Sequence, residues 1–207
     1  MQLIKDFLTI LLAVLIYGFL HSLLATPWVK ERTRAWLGKE TERWYRLAYN
    51  AVAVISLVPV LALPALYPDK HLYSIPFPWA FITLAIQGVA LLVVAVGVWQ
   101  TGVWNFFGLQ QFLYPPKPSV PKLEVGGMYR WVRHPLYTAG LVLIWLTPVM
   151  TLNILALNLG LTIYLVLGAL FEEHKLLKEH GAAYEEYCQK TPMLIPKFES
   201  NKEEQVT

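Results

Sequence analysis

The 207-residue chain has one cysteine, Cys188, and only 15% charged residues. A single thiol excludes an internal disulfide framework and any multi-thiolate metal site, and leaves a reduced, cytosol-facing cysteine as the plain expectation. Phosphate-cradling glycine loops, a dinucleotide fingerprint and a nucleophile elbow are absent from the sequence. So is the sustained apolar/polar alternation that a membrane-spanning barrel requires.

Apolar residues are abundant, at 56% of the chain, and they fall into long runs. A spanning helix needs about 20 mostly apolar residues, so the pattern predicts an all-α integral membrane protein. Five segments can be drawn, at residues 3–24, 44–66, 78–99, 136–150 and 153–171. The first is too long for the apolar core of a cleaved signal and reads as a retained helix. Thr147-Pro148 and Thr151-Leu152-Asn153 supply breaker and turn chemistry, so the last two segments are expected to form a tight helical hairpin.

All but two of the 17 Lys and Arg residues fall in alternate connections. Lys30, Arg32, Arg34, Lys39, Arg43 and Arg46 follow the first segment. Lys117, Lys122, Arg130 and Arg133 follow the third, and Lys175, Lys178, Lys190, Lys197 and Lys202 follow the fifth. Only Lys5 and Lys70 lie on the other side. Short cytoplasmic loops carry the excess of positive residues, which implies five spans, an outward N-terminus and a cytoplasmic C-terminus. The net charge of +3 is thereby a matter of topology, and no nucleic-acid partner is expected. The stretch containing Pro115, Pro116, Pro118 and Pro121 is too proline-rich for a helix and is expected at the membrane surface. Trp99, Trp104, Phe106, Phe107, Tyr114, Tyr129 and Trp131 surround it as interfacial anchors.

Two clusters hold most of the chemistry: Arg133-His134-Pro135-Leu136-Tyr137 and Phe171-Glu172-Glu173-His174. His134 lies 17 residues before Thr151 and Glu172 lies 19 after Asn153. At about 1.5 Å per residue both reach the same depth, so Arg133, His134, Glu172 and Glu173 are expected to converge at the inner end of one hairpin. Pro135 suits the first position of a helix, leaving Arg133 and His134 just outside it and Tyr137 on its first turn. A guanidinium, an imidazole, a phenol and two carboxylates suit a zwitterionic ligand with a flat ring. Two competing readings are an interfacial salt bridge with snorkelling side chains and a metal site of His134, His174, His180, Glu172 and Glu173. The metal reading has poor spacing, with no His-x-x-x-His and no cysteine pair.

From Gly126 onward the chain resembles the membrane methyltransferases of the isoprenylcysteine carboxyl methyltransferase and phospholipid methyltransferase type. The residues that carry the resemblance are Gly127-Met128-Tyr129, Arg133-His134-Pro135-Leu136-Tyr137, Glu172-Glu173, Gly181, Tyr184, Tyr187 and Pro192-Met193-Leu194-Ile195-Pro196. Asn105-Phe106-Phe107-Gly108-Leu109-Gln110-Gln111, Trp145-Leu146-Thr147-Pro148-Val149-Met150-Thr151 and His21-Ser22 look closer to the branch of methanethiol S-methyltransferases and NnrU-like proteins. Gln110 stands where the thiol-methylating branch looks to carry an Arg.

The resemblance implies S-adenosylmethionine as methyl donor and a small-molecule or lipophilic methyl acceptor: a thiol, an isoprenylcysteine-like carboxylate or a lipid amine. Tyr129, His134, Tyr137, Glu172, Glu173, Tyr184 and Tyr187 would bind the cofactor, and Arg133, Glu172 and Glu173 would carry the catalytic role. Residues 1–100 would then be three N-terminal transmembrane helices, and residues 101–207 the cofactor-binding catalytic region. The expected location is a bacterial inner membrane, with the site on its cytoplasmic face. The alternatives are a non-enzymatic NnrU-like accessory membrane protein and a nicotinamide-dependent sterol-type reductase. Oligomeric state and the choice between Glu172 and Glu173 as the inward-facing acid are open at this level.

Overall fold

The computed structural model of the chain describes residues 1–114 and 123–196. Pro115, Pro116, Pro118, Pro121, Lys117, Lys122, Lys197 and Lys202 lie outside the described residues. Apolar runs become helices in lipid because every backbone polar group must bond within its own segment. The first run forms α1 (Gln2–Ala25), and a short amphipathic helix, α2 (Pro27–Leu37), follows it. Thr26 caps α2 through its hydroxyl, with Pro27 at the first helical position. Then come α3 (Thr41–Leu66), strand β1 (His71–Ser74), α4 (Trp79–Thr101) and the short helices α5 (Val103–Phe106) and α6 (Leu109–Leu113). A 3-10 turn (Gly127–Arg130) leads to α7 (Pro135–Trp145), strand β2 (Val149–Thr151), α8 (Leu152–His180) and α9 (Ala182–Lys190).

Four helices, α1, α3, α4 and α8, are long and apolar enough to cross a membrane. Only 6% to 22% of each apolar window is buried within the protein, so most of that surface faces outward, as lipid-facing helices require. The fourth expected segment is shorter than its apolar run. Helix α7 has 11 residues, about 16 Å, roughly half the hydrocarbon thickness. Pro148 cannot donate a backbone hydrogen bond and biases Thr147 away from helix, so the run leaves the helix before residue 150. Its remainder pairs antiparallel with β1, His71 opposite Thr151 and Ser74 opposite Val149, a ladder that no sequence period announced.

Asn153, expected in the turn, is instead in the first turn of α8 and fully buried. Its amide Nδ2 lies 3.3 Å from the carbonyls of Pro64, Tyr67 and Pro68, and its backbone N–H donates to Asp69. The residue thus pins the end of α3 to the start of α8. At its other end α8 continues nine residues past Phe171, so Glu172, Glu173, His174 and His180 are all helical.

Helix α8 packs against α1, α3 and α7, and α7 packs against α4. Val14 sits against Gly160 and Tyr164 against Gly18, where an added Cβ would approach the neighbour to 2.7 Å. Small residues let α1 and α8 approach closely. Those pairings make the two helices parallel, so the end of α1 that leads to α2 lies beside the Glu172 end of α8. Val14, Tyr17 and Val60 form the core between α1 and α3, with Leu157 and Leu161 from α8 against them.

The Asn105 to Gln111 motif docks on α3. Gly108 has φ 84°, and a Cβ there would lie 2.7 Å from the Leu47 backbone nitrogen, so both conformation and space demand glycine. Asn50 donates to the Phe106 carbonyl and Arg43 to that of Phe112, which ties the basic stretch of α3 to this motif. Gln110 is exposed.

Candidate functional site

The start of α7 places Arg133 and His134 where the Pro135 rule put them, with His134 as N-cap and Pro135 in the first turn. The backbone N–H groups of Arg133 and His134 have no helical partner there. They donate to the carbonyls of Pro192 and Met193, and the Thr138 hydroxyl donates to that of Leu194. Residues 192–194 of the tail thus lie as a strap along the entry to α7. Tyr187 fastens the same region by donating to the Tyr129 carbonyl at 2.6 Å.

Arg133 meets Glu173 side-on, Nε to Oε1 at 2.7 Å and Nη2 to Oε2 at 2.8 Å. Its remaining nitrogen, Nη1, donates to the carbonyls of Cys188 and Thr191 at the end of α9. Glu173 also accepts from His134 Nε2 at 2.8 Å and from the Tyr184 hydroxyl at 3.1 Å. Burial works against charge on Arg133, but the Glu173 carboxylate outweighs it and raises the guanidinium pKa above its ordinary value. The pair is a strut that fixes His134, Tyr184 and the end of α9 together.

Glu172 differs. Among the described residues the one Lys, Arg or His nitrogen within 4 Å of its carboxylate is His134 Nδ1 at 3.7 Å, and nearly half of its side chain is exposed. It lines a cavity of about 470 Å³ together with Tyr129, Arg133, His134, Tyr137, Tyr184 and Tyr187. Glu173 lines a separate cleft with His174 and Cys188 on the other side of α8. The inward-facing acid is therefore Glu172. Leu165, Leu176 and His180 complete the α8 side of the cavity, and Leu123 and Glu124 its rim. Residues 165, 172, 176 and 180 are spaced seven, four and four, one helical face, which is the signal by which His180 is found from Glu172.

The phenols around the cavity stay protonated. Burial pushes Tyr187 up to about 12 and raises Tyr129, with Glu172 adding to the latter. Tyr184 is raised by burial and then by Glu173. The ring of Tyr137 stands edge-on to His134, centroids 5.4 Å apart. The volume lies within the range of small-molecule sites, and the lining offers two carboxylates, Glu172 within and Glu124 at the rim, with imidazoles, hydroxyl donors and aromatic faces. Such a donor set fits a ligand that combines an amino-acid moiety, ribose hydroxyls and an adenine ring.

The family model for phospholipid methyltransferase matches residues 79–183. A protein of Crocosphaera subtropica named methanethiol S-methyltransferase is 31% identical over 193 residues, 87% of this chain and 71% of the relative. Proteins of the same name from Pseudomonas sp. and Pseudomonas deceptionensis are 29% and 30% identical, over 92% of this chain and 76% and 72% of theirs. No solved structure matches the chain.

Proposed function

Because the chain belongs to the phospholipid methyltransferase family, whose matched residues 79–183 hold most of the cavity lining, we propose that it is an S-adenosylmethionine-dependent membrane methyltransferase. Its acceptor is a small or lipophilic molecule, the small thiol named for its relatives being the leading candidate. The observation that carries this reading is the convergence of Glu172, His134, Tyr129 and Tyr137 on one cavity.

The donor supplies an electrophilic methyl group on a sulfonium, and its transfer is an in-line displacement. Such a step needs orientation and exclusion of water more than acid or base groups. Glu172 holds polar or cationic groups of the donor, and Tyr129, Tyr137, Tyr184 and Tyr187 supply aromatic faces and hydroxyl donors. Arg133 and Glu173 act by position, since each is engaged by the other and by His134 or the tail carbonyls. The strap 192–194 closes the tail over the entry to α7.

Residues 1–100 serve as the membrane scaffold and residues 101–207 as the donor-binding region. The chain crosses a bacterial inner membrane five times, with α7 and α8 as a hairpin and the cavity on the cytoplasmic face. The distribution of Lys and Arg supports that orientation. Incubating the purified protein with labelled S-adenosylmethionine and a panel of small thiols, lipids and quinones tests the function. Label transferred to one acceptor class is the expected result, and donor binding absent from the detergent-solubilised protein overturns it.

A further inference from the structure

A second polar cluster lies on the membrane side of the cavity. His21 of α1 is enclosed by the hydroxyl of Tyr49 from α3, 2.6 Å from Nε2, and by that of Tyr164 from α8, 2.8 Å from Nδ1. Tyr17 stacks on the same imidazole, ring centroids 5.7 Å apart. Tyr45, one turn before Tyr49, donates to the Leu24 carbonyl. His21 and Tyr49 both fall outside residues 79–183, so they belong to a part of the chain that the shared family region does not include. An ionisable side chain facing the interior of a membrane bundle is a functional candidate by default, because desolvating it is unfavourable.

Helix α8 links this cluster to the cavity. Tyr164, Gly168 and Glu172 succeed one another at intervals of four on one face, and Tyr137 lies against Gly168, 3.5 Å from where a Cβ would stand. Tyr164 is therefore roughly 12 Å deeper along α8 than Glu172, with the Tyr137 ring between them. A neutral imidazole carries one proton, so one tyrosine hydroxyl donates to the ring and the other accepts from it. Hydroxyl, ring and hydroxyl form a path for a proton, and the groups facing His21 are the phenols Tyr17, Tyr49 and Tyr164, with Tyr137 next along α8.

We propose that the His21, Tyr49 and Tyr164 cluster is the acceptor end of the site and takes the proton that a thiol acceptor must lose. The inference rests on the methyltransferase reading above. A carboxylate acceptor arrives ionised and needs no such group, whereas an alkanethiol is protonated at neutral pH and a poor nucleophile until it loses its proton. In the step, the S–H bond breaks and its proton passes to a tyrosine hydroxyl, which hands its own proton to His21. The electron pair left on sulfur forms the new S–CH3 bond. The carbon–sulfur bond to the donor breaks, its pair returning to the donor sulfur, and the proton on His21 leaves to solvent.

The test compares two thiols and two readouts in the detergent-purified full chain. Donor affinity is measured by calorimetry with S-adenosylmethionine, and methyl transfer is measured to an alkanethiol and to an aryl thiol already ionised at neutral pH. His21→Gln is expected to leave donor affinity unchanged and to slow transfer to the alkanethiol about 100-fold, with a much smaller loss for the aryl thiol. Tyr49→Phe and Tyr164→Phe, each lacking one hydroxyl, are expected to show the same selectivity, and they carry the test if His21→Gln fails to fold. Equal losses on both thiols mean that the cluster is interhelical glue, and they overturn the proposal, as does no loss on either. Wild-type protein that binds the donor yet methylates neither thiol overturns this inference alone. Wild-type protein that binds no donor overturns the methyltransferase reading as well.

Discussion

Arg133 and Glu173 stand 40 residues apart in the chain and meet through two parallel hydrogen bonds of 2.7 and 2.8 Å. Their side chains are only 11% and 18% exposed, so neither charge is solvated well enough to stand alone. Around this pair the start of α7, the inner part of α8 and the end of α9 become one unit.

Removing one partner of that pair leaves the other charge partly buried. Glu173→Ala is expected to lower stability by about 2–3 kcal/mol, below the value for a fully buried pair because some solvent reaches it. Arg133→Lys keeps the charge and loses the fork, so its melting temperature in detergent should fall between those of Glu173→Ala and wild type. A melting curve for Glu173→Ala that coincides with wild type would remove the strut.

Glu172 should behave in the opposite way. Glu172→Gln deletes a charge that faces the cavity, with His134 Nδ1 3.7 Å away. Donor affinity is expected to fall between about 10- and 100-fold, the worth of one hydrogen bond to a charged group. The melting temperature of the donor-free protein should stay within a degree or so of wild type, because no strut is broken. Calorimetry and a detergent melt on the same preparation separate the two acids.

The Cys188 thiol reports on burial at the back of α8. Burial pushes its pKa above the ordinary thiol value, with Arg133 pulling it down and Glu173 adding to the rise. A raised pKa means less thiolate at neutral pH, so alkylation should be slower than for a free cysteine. The rate should still be climbing above the usual thiol midpoint of roughly 8.5. A rate plateau at or below that midpoint, read from a pH series with iodoacetamide, would contradict this assignment.

Close approach of α1 and α8 predicts a contrast between two glycines. Gly160→Val places its Cβ 2.7 Å from the Val14 Cβ on the facing helix, so the variant should lose about 1–3 kcal/mol. Gly168→Ala meets Tyr137 at 3.5 Å, an ordinary contact, and should melt near wild type. Both are read by thermal unfolding in detergent.

Much of the architecture was legible in the chain because lipid imposes simple demands. Apolar runs of sufficient length marked α1, α3, α4 and α8 to within a few residues at most of their ends. Pro135 marked the start of α7, because a residue without an N–H fits only where no donor is needed. Counting 17 residues back from Thr151 and 19 on from Asn153 brought His134 level with Glu172, and their side chains do meet. The β1–β2 ladder was hidden, since Val149, Met150 and Thr151 are apolar or β-branched whichever structure they adopt. The clamp made by Asn153 was hidden too, because an asparagine beside a turn reads as turn chemistry until the carbonyls of Pro64, Tyr67 and Pro68 are seen around it.

By itself the sequence determined that the protein lives in a membrane, which residues carry its charge near the boundary, and which family its motifs resemble. Those are properties of runs, spacings and order along a line. Only the tertiary structure decided that Glu172 faces the cavity while Glu173 binds Arg133, and that Tyr49 and Tyr164 enclose His21. Adjacent residues on a helix point about 100° apart, so two neighbouring acids of equal polarity take opposite roles according to how the helix is turned, and that rotation is set by packing against helices far away in the chain.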